Sequence, residues 1–323
     1  MDNGLLHVGG LKTYFHTFNG LVKAVDGVDF SLDEGEILGV VGESGCGKSV
    51  VGFSIIGLID APGCIESGEI RFNGVNLLDL DEREMRKIRG KEITMIFQDP
   101  MTSLNPLYTI QAQMEEVMKL HSDMNGEQRK NRCIELLDAV GISQPASRLK
   151  NFPHQFSGGM RQRVIIAIAL ASNPKLVIAD EPTTALDVTI QSQILKLMKR
   201  LVKEHRTALM LITHDLAVVS EMTDKIIVMY CGRVVEKGTR DDIINRGRHP
   251  YTLGLLGSIP NLAARQKRLS QIPGMVPNIM HLPPGCTFAP RCDYAQEKCR
   301  AHRPDLTELA PGHAAACYYP VER

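Results

Sequence analysis

Ile37-Leu-Gly-Val-Val-Gly42-Glu-Ser-Gly-Cys-Gly-Lys48-Ser49 is the stretch on which the reading of this chain turns. Ile37–Val41 is short, apolar and bounded by turn residues, so it reads as a buried strand. Gly42 to Ser49 fits G-x-x-x-x-G-K-[ST], and a helix-like run, Val50–Ile59, follows. Strand, glycine loop and helix in that order is the context the motif requires. Each residue type has a physical part. Glycines let the backbone N–H groups of Gly42, Glu43, Ser44, Gly45, Cys46 and Gly47 turn inward around phosphates. The helix N-terminus adds a partial positive charge. Lys48 can reach the outer phosphates, and the Ser49 hydroxyl can ligate Mg²⁺. The expected ligand is a nucleoside triphosphate with Mg²⁺.

Outward from this loop the chain alternates strands and helices. Leu176-Val-Ile-Ala-Asp180-Glu181 is an apolar strand ending in two carboxylates, at the strand end where open α/β sheets bind ligands. Asp180 is suited to hold Mg²⁺, and Glu181 to polarise the attacking water as a general base. Ile93–Phe97 and Ala208–Thr213 read as further buried strands. Glu69–Phe72 reads as an antiparallel piece, as do Lys225–Tyr230 and Arg233–Glu236, which form a hairpin across Cys231–Gly232. Val188–Lys203 has apolar residues at 190, 194, 195, 197, 198 and 201 and a basic C-terminal end, as an amphipathic helix should. Residues 101–156 break the alternation. Ile110–His121 and Glu127–Val140 read as two helices with no strand between them, a helical subdomain over about 101–160. Residues 1–260 are expected to form one nucleotide-binding domain and 261–323 a small C-terminal module, where prolines recur and periodicity fades. The fold class expected is α/β: a phosphate-loop (RecA-like) core with a mostly parallel sheet, an antiparallel β subdomain, the helical insertion and the Pro/Cys-rich module.

Bulk properties narrow the function. The chain has 323 residues, 43% of them hydrophobic, and 37 basic side chains balance 37 acidic ones, so no global nucleic-acid-binding field is expected. No apolar run approaches the roughly 20 residues that span a bilayer. The N-terminus lacks a basic segment followed by a long apolar one, so a cytosolic protein is expected, with any membrane role exercised through a partner. Of eight cysteines, Cys46, Cys64, Cys133 and Cys231 are scattered, whereas Cys286, Cys292, Cys299 and Cys317 fall within the last 38 residues. Their gaps match neither the C-x₂₋₄-C knuckle of structural zinc nor the common ferredoxin spacings. Thiolates suit both iron–sulfur clusters and zinc. A cluster, a zinc ion and free thiols all stay open on spacing alone.

A phosphate loop and a paired carboxylate do not separate kinases, GTPases and ATPases. Phe156-Ser-Gly-Gly-Met-Arg-Gln-Arg163 does, because it resembles the ABC signature LSGGQ followed by a basic residue, with Phe for Leu and Met for Gln. Ser157, Gly158, Gly159 and Met160 would lie at a helix N-terminus, ready for a γ-phosphate. Other stretches match that family in order. Phe97-Gln98-Asp99-Pro100 resembles the Q-loop, Ala185-Leu186-Asp187 the D-loop, and Thr213-His214-Asp215 the switch. The resemblance implies that Gln98 senses Mg²⁺ and water, that His214 bonds the γ-phosphate, and that the signature residues serve ATP held by an opposing subunit. Phe15, after Leu11-Lys-Thr-Tyr14, is the aromatic expected to stack on adenine, with Tyr14 its rival. Together these motifs cover about residues 8–240.

Ile96 to Pro106, Ala179 to Val188 and His249-Pro-Tyr-Thr252 are similar to the oligopeptide/dipeptide importer ATPases, closest to the D-type ATPase of dipeptide importers. Nickel importer ATPases share much of the pattern, and a soluble non-transport ABC ATPase is the alternative from another class. The resemblance implies an ATPase on the cytoplasmic face of the cell membrane. Its implied partners are a second, paralogous ATPase in a heterodimer, two transmembrane permease subunits and, indirectly, an extracytoplasmic substrate-binding protein. In that family a region like the cysteine-bearing tail holds a [4Fe-4S] cluster, which Cys286, Cys292, Cys299 and Cys317 would ligate here, with Zn²⁺ as the alternative.

Overall fold

The computed structural model describes residues 4–99, 103–184, 186–258 and 272–322. Pro100, Ala185 and the expected boundary at 260/261 lie outside the described residues. The strands are β1 (Leu6–Thr17), β2 (Gly20–Leu32), β3 (Ile37–Val41), β4 (Gly63–Phe72), β5 (Val75–Asn76), β6 (Ile93–Ile96), β7 (Leu176–Asp180), β8 (Ala208–Thr213), β9 (Lys225–Tyr230), β10 (Arg233–Thr239), β11 (Thr307–Ala310) and β12 (His313–Ala315). The α-helices are α1 (Lys48–Ile55), α2 (Glu82–Ile88), α3 (Ile110–His121), α4 (Gly126–Ala139), α5 (Pro145–Arg148), α6 (Gly158–Ala169), α7 (Val188–Glu204), α8 (Leu216–Met222), α9 (Arg240–Ile244), α10 (Pro250–Gly257) and α11 (Glu297–Ala301). They form two compact units, one of residues 1–32, 37–78 and 212–323, the other of 33–36 and 79–211.

In the first unit, an antiparallel sheet runs in the order β2-β1-β4-β5. Leu6, Val8, Leu11 and Thr13 of β1 are buried, a period of two broken once where the register slips between Val8 and Leu11. Gly68 of β4 lies against that irregularity with φ 111, and a Cβ there would come within 2.6 Å of the Leu11 Cα. A glycine is therefore required where the two backbones approach. β1 and β2, 12 and 13 residues long, have no counterpart in the sequence expectations, and β4 starts six residues before the expected Glu69. The alternation that would announce them is interrupted by this bulge and by polar residues.

The unit's second layer of strands follows the order β11-β12-β10-β9-β3. β3 pairs parallel with β9, Leu38 opposite Lys225 through Val41 opposite Val228. The β9–β10 hairpin turns on Cys231 (φ 45) and Gly232 (φ 79), two left-handed residues as a tight I′-type turn demands. β12 of the tail adds to β10, with Glu236 opposite Ala315. Tyr230, Tyr251 and Phe288 join Val41, Val219 and Ile226 in one buried cluster, so the tail contributes an aromatic to the core beside the phosphate loop's strand.

In the second unit the strand order is β8-β7-β6, with β6 and β7 parallel, Ile93 opposite Leu176 through Ile96 opposite Ala179. The two expected helices of the insertion are present as α3 and α4. α3 starts on a Thr109 cap and buries Ile110, Met114 and Met118, one helical face. α4 opens on an Asn125/Gln128 capping box. α6 begins at Gly158 on a Ser157 side-chain cap, so the signature residues do lie at a helix N-terminus. α7 starts on an Asp187 cap and matches the predicted amphipathic helix to within a residue.

Candidate functional site

The phosphate loop lies between β3 and α1 in the first unit. Gly45 (φ 77) and Gly47 (φ 98) occupy left-handed conformations. Gly47 is also hemmed in, since a Cβ on it would stand 2.0 Å from the Ala24 carbonyl oxygen, and one on Gly42 would stand 2.2 Å from the Met229 carbonyl oxygen. The loop backbone thus threads between β2 and β9 where side chains do not fit. The Gly232 N–H donates to the Cys46 carbonyl at 2.9 Å, fixing the loop's far side. No side chain caps α1, and its first turn holds no acidic residue, so its N-terminal N–H groups keep their field for an anion. Lys48, 4% exposed, donates from Nζ to the carbonyls of Gly42 (2.8 Å) and Glu43 (3.0 Å). The ammonium is held across the loop's mouth, where it can exchange carbonyls for phosphate oxygens.

Adjacent β1 residues part ways. The Tyr14 hydroxyl donates to Asp26 Oδ1 at 2.6 Å, and burial with that bond pushes its pKa up to about 12. Asp26 in turn accepts from Arg233 at 2.5 and 3.0 Å. Phe15 points the other way, and its ring lies over Gly63, where a Cβ would come within 2.6 Å. Tyr14 is thus tied down, and Phe15 is the half-buried apolar ring of the pair. His214, just past β8, is exposed, and the following Asp215 caps α8 by accepting from the Ala217 N–H at 2.8 Å.

In the second unit, β7 delivers Asp180, 3% exposed, and then Glu181 in a left-handed conformation, φ 45. Such a backbone is strained for a non-glycine residue. It turns the carboxylate toward two donors: Gln98 Nε2 at 3.2 Å and Thr184 Oγ1 at 2.8 Å, both onto Glu181 Oε2. The Glu181–Gln98 pairing joins two residues predicted separately, whereas Thr184 was not foreseen. At the start of α6 the Ser157 hydroxyl accepts the Met160 N–H at 3.4 Å. Gly158 and Gly159 lie against the start of α7, where a Cβ would meet Leu186 Cδ2 at 3.7 Å and Ile190 Cγ2 at 2.8 Å. The signature turn and the Leu186–Asp187 turn are therefore neighbours, and the second glycine is demanded by that packing.

The four tail cysteines line one cavity together with Phe288 and Pro304. The Cys286 N–H donates to the Cys299 carbonyl at 2.8 Å. Gly285 makes that approach possible, since a Cβ would lie 2.3 Å from the same carbonyl oxygen. Burial pushes the Cys286 and Cys292 thiols up and that of Cys317 up to about 11. Among the described residues, the set of three metal-type side chains with ligand atoms all within 4.8 Å of one another is His16, Cys64 and Glu66. The tail thiols are gathered around one cavity but more widely than that.

Residues 25–184 match the family model described as ABC transporter, and residues 235–299 match that of the oligopeptide/dipeptide transporter C-terminal region. The chain is 51% identical over 318 residues to the dipeptide transport ATP-binding protein DppD of Escherichia coli, covering 98% of this chain and 97% of that protein. It is 51% identical to the oligopeptide transport ATP-binding protein AppD of Bacillus subtilis, covering 97% of this chain and 96% of that one. The chain belongs to the ABC transporter ATP-binding family, in its oligopeptide/dipeptide branch. Among solved structures, the cassette resembles the ATP-binding cassette MJ0796 in a dimeric state bound to ADP and Pi, at TM-score 0.65 and 30% identity, over 73% of this chain and 98% of that one. It also resembles cbiO1 from Clostridium perfringens, part of an ABC transporter complex, at TM-score 0.64 and 26% identity, over 76% and 92% of the two chains.

Two further residues of the cassette touch the phosphate loop without having been singled out for it. The Tyr251 hydroxyl accepts the Glu43 N–H at 2.8 Å, and Arg291 pairs with the Glu43 carboxylate. Tyr251 lies within the His249–Thr252 stretch that marks the branch, but nothing local ties it to residue 43.

Proposed function

We propose that this cassette is the ATP-hydrolysing subunit of an importer that carries di- or oligopeptides across the cytoplasmic membrane. The observation that carries the reading is the Glu181 carboxylate, aimed by Gln98 and Thr184 from the end of β7, in a chain about half identical along its whole length to peptide transport ATP-binding proteins. Lys48 and the loop N–H groups take the phosphates, and Phe15 stacks on adenine. Ser49, Gln98 and Asp180 would hold Mg²⁺, which neutralises charge on the phosphates. Glu181 accepts a proton from the attacking water, and His214 bonds the γ-phosphate. Ser157 to Met160, with Asp187, serve the nucleotide of an opposing ATPase subunit, a paralogue, so each site is completed by the neighbour. Two permease subunits receive the motion on the cytoplasmic face, and a binding protein delivers cargo from the other side.

The tail fits a [4Fe-4S] cluster better than a single metal ion. One zinc ion holds thiolates about 3.8 Å apart, from tetrahedral bonds of about 2.3 Å. Here four thiols face one cavity, yet no three of them meet the 4.8 Å spacing among the described residues. Cys286, Cys292, Cys299 and Cys317 would ligate the cluster, which supplies cross-links between distant parts of the tail rather than chemistry on ATP. The test is purification from membranes under anaerobic conditions. Co-purifying polytopic subunits, peptide-stimulated ATP hydrolysis and equimolar cluster iron and sulfide are expected. Co-purifying ribosomes or DNA would overturn the transport reading, and zinc without iron would overturn the cluster.

A further inference from the structure

We propose that Arg291 is a positioning residue for the nucleotide site: from the cysteine module it clamps Glu43 and so sets the shape and charge of the phosphate-binding loop. Arg291 and Glu43 are 248 positions apart in sequence. Their contact is a fork, Nη1 to Oε2 at 2.6 Å and Nη2 to Oε1 at 3.0 Å. Bidentate pairs of this kind fix orientation as well as charge. The arginine side chain is 4% exposed and that of the glutamate 29%.

The guanidinium is itself held on every side. Its Nε donates to the Pro273 carbonyl at 2.9 Å, and Nη1 to the Tyr230 hydroxyl at 3.3 Å. Its carbon stands 5.9 Å from the centre of the Tyr230 ring and 6.0 Å from that of Phe288, both within cation–π range.

Glu43 is a node. Its side chain meets Arg291, its N–H donates to the Tyr251 hydroxyl at 2.8 Å, and its carbonyl accepts Lys48 Nζ at 3.0 Å. Tyr251 is fully buried, with ring centres 4.7 Å from Tyr230 and 5.3 Å from Phe288. A carboxylate in a loop built for anions opposes phosphate binding unless it is neutralised and held back. Arg291 does both. Removing it leaves a charge that repels the ligand and frees one of the two residues whose carbonyls hold Lys48. Because Arg291 directly precedes Cys292, the clamp is rooted in the module that gathers the four thiols. The inference rests on the loop at 42–49 being the ATP site.

The test is ATPase kinetics of the assembled complex, with iron and sulfide measured on every preparation. If the wild-type complex binds no ATP, the underlying reading fails before any variant is made. Given wild-type activity, Arg291→Met is expected to raise KM for ATP about tenfold, the scale of one lost charged hydrogen bond, with a smaller change in kcat and unchanged iron. Adding Glu43→Gln to Arg291→Met recovers most of that loss, because the unpaired carboxylate is what repels phosphate. A purely structural role would lower the yield of folded protein, leave KM of the folded fraction alone and give no rescue. Should Arg291→Met fail to fold, Tyr251→Phe removes only the acceptor of the Glu43 N–H and is expected to raise KM about threefold. A wild-type KM in the folded variant, or a double variant worse than Arg291→Met, overturns the proposal.

Discussion

Replacing Gly47 by alanine tests the geometry of the phosphate loop, and the structure separates two costs. The new Cβ would lie 2.0 Å from the Ala24 carbonyl oxygen, backbone of β2 that has no rotamer to escape into. Relief requires the loop and the strand to part by about 1 Å, an overpacking cost of about 1–3 kcal/mol. Gly47 also has φ 98, which for a residue with a Cβ adds about 1–3 kcal/mol. The sum is about 4 kcal/mol, a large share of a domain's stability. Two neighbours divide the sum. Gly45 has φ 77 and nothing within 4 Å of an added Cβ, so Gly45→Ala carries the conformational cost alone. At Gly42 an added Cβ meets the Met229 carbonyl oxygen at 2.2 Å and Cys46 Sγ at 2.7 Å, so Gly42→Ala carries the steric cost. Urea unfolding and the affinity for a fluorescent ATP analogue should both rank Gly47→Ala as most damaged. Wild-type midpoint and affinity in Gly47→Ala, or equal damage in Gly45→Ala, would refute the reasoning.

Other consequences are as direct. Thr184→Val removes the 2.8 Å bond onto Glu181, and kcat should fall about three- to tenfold with KM for ATP little changed, since the hydroxyl orients the base rather than the nucleotide. Burial lowers the pKa of His249 from 6.5 to about 4, and its Nδ1 accepts the Tyr251 N–H at 3.1 Å, so the folded state keeps the ring neutral. Unfolded chains take up a proton near pH 6.5, so this contribution to stability is intact above that pH and is lost as pH falls toward 4, by up to about 3 kcal/mol. Equilibrium unfolding against pH should show that slope, and His249→Asn, which keeps an acceptor but cannot titrate, should flatten it.

How much of this was legible in the sequence depends on the residue. β3, β7 and β8 were readable because each is a short, mostly apolar run, buried throughout, that stops at Gly42, Asp180 or Thr213. β1 and β2 were not, because a slip near Gly9 and Gly10 breaks the period of two just where it would be counted. The first helix was placed late, at Val50, because Lys48-Ser49 supplies no apolar periodicity. The tail showed its prolines and cysteines, but not that β12 would find β10 or that Phe288 would enter the core. Gln98 and Glu181 were each found by motif, but their meeting and the part of Thr184 are tertiary facts. The Arg291–Glu43 clamp had no local signal at all.

The most direct measurement is ATP turnover by the assembled complex carrying Glu181→Gln beside the wild type. If Glu181 is the base at a working ATP site, the variant should still bind ATP while turnover falls at least about a hundredfold and peptide uptake stops with it. Turnover and uptake near the wild-type level would contradict the assignment.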